Sequence, residues 1–145
     1  MGKNKTKKDK NPRLIKGLPS INKSIKEEDI NNINYPLFSF KYLQETSIRD
    51  CTERDFFFKF LIRLQKLSDL GWDKIQTSDR HSWGTEKIPI SQIKPQIPLC
   101  ITPDVTDLIC FRANGDKRPF LGFRIGSIFH VVFIEARFND IYDHG

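Results

Sequence analysis

The chain is 145 residues long, enough for one domain that buries its own core without disulfide staples. Twelve phenylalanines supply much of that core, and the three cysteines (Cys51, Cys100 and Cys110) are odd in number and form no CxxC pair, which argues against a disulfide frame or a cysteine zinc site. The formal charge of +6 belongs to one end: residues 1–26 carry nine Lys/Arg against one acid, a net +8, and the other 119 residues carry a net −2.

Residues 1–32 are rich in Lys, Asn and Ser, are broken by Pro12 and Pro19, and show no sustained period. They are expected to form a mostly disordered basic arm, either a solvated leader or a sequence-blind collector of phosphate contacts. Met1-Gly2-Lys3-Asn4-Lys5-Thr6 also fits the N-myristoylation pattern, which is short and arises often by chance. No signal peptide is evident, and no apolar run approaches the ~20 residues of a membrane span. The expected setting is cytoplasmic, without a membrane partner.

Residues 33–145 read as a single α+β domain. Leu37 to Leu43 alternates, putting Phe38, Phe40 and Tyr42 on one face of a first strand. Thr52 to Leu70 carries the strongest helix signal. Thr52 is the expected N-cap, Asp55 stands in capping-box position, and Gly71 ends the helix. Phe57, Phe60, Leu61, Leu64 and Leu67 form its apolar stripe, while Lys59, Arg63 and Lys66 share one exposed row. Such a row is either solvated surface or a phosphate-binding ridge. Trp72 to Ile75 extends this helix or starts a short second one.

Thr77 to Gln92 lacks a period. It gathers Arg80, His81, Glu86 and Lys87, the mixture expected where a loop carries function. Leu99-Cys100-Ile101 reads as a short edge strand among prolines. Three runs rich in β-branched and aromatic residues then close the chain, Leu108–Ala113, Phe120–Ile125 and Ile128–Ala136, with turns at Asn114-Gly115 and Gly126-Ser127. The order gives a two-layer fold, helix on antiparallel sheet, with a C-terminal meander.

A two-residue turn at Gly126-Ser127 pairs Ile125 with Ile128, and an unbroken register sets Arg118 opposite Glu135. One face then holds Leu121, Phe123, Ile125, Ile128, His130, Val132 and Ile134, and is expected under the helix with His130 as a core histidine. The other face holds Arg118, Phe120, Arg124, Phe129, Val131, Phe133 and Glu135, with Arg112 joining if the Asn114-Gly115 turn allows. Guanidinium groups beside aromatic rings suit single-stranded nucleic acid, and they equally suit cross-strand structural pairs. Tyr142 and His144 at the C-terminal end are the acid–base groups that an RNA-cleaving site would use. The three histidines share no metal-ligand spacing, and GxGxxG, P-loop, GxSxG and HExxH motifs are absent, so no cofactor or metal is expected.

The run from Leu37-Phe38-Ser39-Phe40 through the Phe-rich helix to Phe120, Gly122, Arg124 and Phe129-His130-Val131 resembles the RelE/ParE-type toxins of bacterial toxin–antitoxin modules. The resemblance lies in topology and size and covers roughly residues 36–145. It implies a β-α-(α)-β-β-β fold and a metal-independent endoribonuclease acting on mRNA at the ribosome, with a cognate antitoxin as partner. The positions matching its catalytic groups are Arg112, Arg118, Arg124, His130 and Tyr142. Independently of the resemblance, the cation row, the mixed loop and the sheet make Lys59, Arg63, Lys66, Arg80, His81, Lys87 and Arg112 the expected RNA contacts. The long basic arm, the extended loop and a body that is not basic depart from that family. The rival expectations are a protein-interaction module, such as an antitoxin-like, phage or defence-complex subunit, and a nucleic-acid-binding accessory protein without catalysis.

Overall fold

A computed structural model describes residues 30, 32–45, 49, 52–113 and 117–145. The predicted arm up to residue 29, the acylation pattern, Cys51 and the turn Asn114-Gly115-Asp116 lie outside the described residues. Among the described residues, two helices of more than one turn and a five-stranded sheet make an α+β fold with helices on sheet. In chain order these are β1 (Leu37–Ser39), α1 (Arg54–Leu70), α2 (Trp72–Thr77), β2 (Glu86–Pro89), β3 (Asp107–Arg112), β4 (Pro119–Ile125) and β5 (Ile128–Ile134). The strands stand in the order β1-β5-β4-β3-β2. The sheet is mixed, because β1 runs parallel to β5 while the other neighbours are antiparallel.

Several local expectations are corrected. β1 is three residues long: a turn follows it, so Phe38 joins the helix-side core, Tyr42 goes to the opposite layer and Phe40 is exposed. The edge strand is Glu86–Pro89, inside the predicted functional loop, and not Leu99–Ile101. No side-chain cap bond is made at Glu53, which precedes α1. Asp55 pairs with Lys59 at 2.9 Å instead. Gly71, at φ 86°, ends α1 and lets α2 turn away, a conformation that costs glycine little. The buried stripe of α1 is Phe56, Phe60, Leu64 and Leu67, at steps of four, four and three. Leu61 lies off that stripe and is 66% exposed.

The larger correction concerns which sheet face the helices cover. Phe111, Phe120, Phe129 and Val131 pack with Phe38 against Phe56, Phe60, Leu67 and Trp72. The supposed open Arg/Phe face is therefore the helix-facing core, and Phe129 is wholly buried. The reason lies in the flanking strands: Phe38 and Phe111 make this side the richer aromatic surface. Covering it also keeps the polar ring of His130 out from under a helix. The second face is covered as well, by residues 90–105 and by Ile141 and Tyr142, which pack on Leu108, Cys110, Leu121, Val132 and Phe133.

The register holds as predicted from Ile125↔Ile128 to Gly122↔Val131, then shifts by one, so that Leu121 pairs with Phe133 and Phe120 with Ile134. Val132 is the extra residue of a β-bulge. A Cβ at Gly122 would stand 1.8 Å from the carbonyl oxygen of His130, so the close approach admits only glycine. Past the bulge, Glu135 no longer faces Arg118. Its side chain turns to the outer layer and is inaccessible to solvent.

Candidate active site

A cavity of about 260 Å³ opens on the outer sheet face, among β2, β3, the start of β4 and the C-terminal segment. It is lined by Arg80, His81, Glu86, Ile88, Cys110, Phe111, Arg112, Lys117, Pro119, Tyr142, Asp143 and His144.

Each wall has a local cause. Asp79 folds the loop before β2: its carbonyl accepts the amides of Ser82 and Gly84, both at 2.9 Å, and its carboxylate accepts the His81 amide at 2.7 Å. This sets His81 against β3, where the Arg112 guanidinium donates to Nδ1 at 2.6 Å. In the neutral ring that bond places the proton on Nε2. Arg80 also contacts Nε2, at 3.3 Å, but one neutral ring cannot accept at both nitrogens. The shorter bond from Arg112 fixes the tautomer, and Arg80 is held chiefly by Glu86 at 3.0 Å.

The opposite wall is built on Glu135. Its carboxylate accepts the amides of Asn139 at 3.2 Å and Ile141 at 3.3 Å, and contacts His144 Nε2 at 2.6 Å. The His144 ring is gripped between Phe138 and Tyr142, with centroids 4.5 and 4.2 Å away. Burial raises the Glu135 pKa, and the neighbouring His144 and the two amides oppose that shift. A buried carboxyl beside an imidazole fixes the ring's tautomer and orientation. Lys94 fastens the segment, pairing with Asp143 and donating to the Asn139 carbonyl at 2.8 Å.

Beneath these groups, Tyr142 lies 3.6 Å from the Cys110 sulfur. Burial pushes the Cys110 thiol up to about 12 and the Tyr142 phenol upward too, so both keep their protons at neutral pH. The lining carries three cations, Arg80, Arg112 and Lys117, against the two carboxylates Glu86 and Asp143, and Arg80 pairs with Glu86 while Asp143 pairs with Lys94 outside the lining. Two imidazoles on a small cationic cavity suit proton transfer at a bound phosphate.

Of the residues singled out in the sequence, Arg80, His81, Glu86, Arg112, Tyr142 and His144 meet here. Lys59, Arg63 and Lys66 line a neighbouring groove with Ile62 and Trp83. Lys87 is exposed on β2 and pairs with Ile109, on the helix side of the sheet. Arg118, Arg124 and His130 stand apart from the cavity. The Arg118 guanidinium lies over Phe56 at 4.3 Å, and donates to Glu53 at 3.1 Å and to the Ala136 carbonyl at 3.0 Å. Arg124 covers Trp72 at 3.8 Å and donates to the Gly126 carbonyl at 2.7 Å. Arg112 pairs with Pro119 and falls on the face opposite Arg124. His130 stacks on Phe123 and Tyr42, with Nδ1 buried and without a hydrogen-bond partner.

Glu135 and Lys117 were missed as site residues. The one clue to Glu135 was Gly122 in mid-strand, a mark of a bulge. Among the described residues, no helix is long and apolar enough to cross a membrane. Compared with known proteins, the chain matches no protein family, no curated protein and no solved structure.

Proposed function

We propose that this is an RNA-engaging protein of the RelE-like toxin type, whose cavity cleaves phosphodiester bonds by metal-independent acid–base chemistry. One observation carries the proposal: His81 and His144 line a single cationic cavity, and His144 is held by a carboxyl that solvent does not reach. The order of strand, two helices and closing sheet supports the family resemblance.

Arg112 and Lys117 hold the scissile phosphate and stabilise the charge that builds on its oxygens in the transition state. His144 donates Nε2–H to Glu135, so Nδ1 carries the lone pair that takes the proton of the ribose 2′-hydroxyl. The 2′-oxygen bonds to phosphorus, the bond to O5′ breaks, and a 2′,3′-cyclic phosphate forms. As the phosphate draws off the Arg112 donors, Nδ1 of His81 is released and takes a proton from solvent, which His81 passes to the leaving O5′ while His144 later returns its own to solvent. Glu135 is a positioning residue.

Purified protein is incubated with RNA in EDTA, alone and with ribosomes. Cleavage is expected, and His81→Ala or His144→Ala should each slow it by about 10²–10⁴-fold. RNA left intact by the wild type in both settings removes the catalytic proposal.

A second reading, a protein-interaction module that docks a cognate antitoxin or another subunit, draws on the outer side of α1. There Phe58 and Leu61 are 64% and 66% exposed, with Ile62 beside them. A stable complex from a pull-down, lost in Phe58→Ser/Leu61→Ser and unaccompanied by RNA cleavage, would favour it.

A further inference from the structure

The loop from Asp79 to Gly84 separates two cationic hollows. His81 faces the cavity on the outer sheet face, while Trp83 packs on the helix-side core. On the Trp83 side lies a groove of about 190 Å³, lined by Lys59, Ile62, Arg63, Lys66 and Trp83. Arg63 is its centre. The guanidinium lies 3.9 Å from the Trp83 ring centroid and also donates to the Ser82 carbonyl, between the two loop side chains. Its Nε is buried without a hydrogen-bond partner. Burial first, and then the charge of Arg112 in the cavity wall, lower the Arg63 pKa, which marks the two hollows as electrostatic neighbours.

We infer that the groove is a flanking subsite for single-stranded RNA, taking phosphates of the chain whose scissile phosphate occupies the cavity. The inference rests on the proposed cleavage site and names the form of its substrate. Lys66 and Lys59, the latter in a solvent-exposed pair with Asp55 that a phosphate can displace, suit backbone phosphates, and Ile62 and Trp83 give the groove an apolar wall for sugar or base. A strand that occupies both hollows must bend round the loop tip. Single strands do this readily, whereas a stiff A-form duplex presents its phosphates on a convex rod.

The test uses the whole 145-residue chain, so that the contribution of the basic residues 1–26 is common to every variant. The probe is a fluorescent, fully 2′-O-methylated RNA of about a dozen nucleotides, uncleavable because its nucleophile is blocked, read by anisotropy across a salt series. Lys59→Gln/Lys66→Gln alters two exposed side chains and should weaken binding at least tenfold. The slope of log K against log salt should fall by about 1.4, two phosphate contacts at ~0.7 each for a single strand. Unchanged affinity and slope, or tighter binding of the annealed duplex than of the strand, overturns the inference whether or not the wild type cleaves RNA. Groove-dependent binding by a protein that leaves RNA intact supports the subsite and removes only the catalysis.

Discussion

Replacing Gly122 by alanine probes the bulge on which the cavity depends. The new Cβ would stand 1.8 Å from the His130 carbonyl oxygen and 2.8 Å from its carbon, both backbone atoms of the adjacent strand. No rotamer relieves such a clash, so β4 and β5 must part by more than an ångström at the centre of the sheet. Overpacking of this kind costs about 3 kcal/mol at its upper range. The stiffer unfolded chain returns less than about 1 kcal/mol. The net loss is about 2–3 kcal/mol, a fall in Tm of roughly 10 °C for a domain of this size. Urea denaturation followed by circular dichroism measures it, with Leu99→Ala as the control because that side chain is 99% exposed. If Gly122→Ala unfolds within about 0.5 kcal/mol of wild type, the close approach and the bulge built on it are wrong.

Arg124→Ala removes the guanidinium from the Trp72 ring and should lower stability by about 1 kcal/mol in thermal melts; no change would deny it a structural role. Phe120→Ala should cost about 3–5 kcal/mol and Leu61→Ala less than about 0.5, and equal losses would refute the assignment of the helix-covered face. Burial first, and then Lys41, hold the His130 pKa below its usual 6.5, so the folded state binds fewer protons than the unfolded one. Its contribution to stability is therefore complete above pH 6.5 and lost as the pH falls through the folded value. Glu135, raised by burial, acts with the opposite sign, so the comparison is between wild type and His130→Phe across that range. The stability of wild type minus that of His130→Phe should fall as the pH falls through that range, and a difference that stays constant or rises would contradict this account.

The helix, its glycine stop and the closing strands were legible because period and turn chemistry act locally: Gly71 and Gly126-Ser127 fall where expected. The choice of covered face was not, since it depends on which strands flank the β4–β5 pair. β1 reaches β5 by a parallel pairing that no local signal announces. Of the site, Arg80, His81 and Tyr142 were visible as residue types suited to proton and phosphate chemistry. What joined them was hidden, because the bond from Arg112 to His81 spans 31 positions. The link from Glu135 to His144 needs the register shift at Gly122.

That shift makes the candidate site a matter of parity. Were Val132 paired regularly with Leu121 and not bulged out, the strand would keep one alternation throughout, and the Glu135 carboxylate would swing in among the helix-side phenylalanines, level with Arg118. His144 would lose its anchor, and the chain beyond it the pair of carboxylate oxygens that fold it back. A single supernumerary residue thus divides the duties of one strand, its first half serving the interior and its last residues serving the pocket.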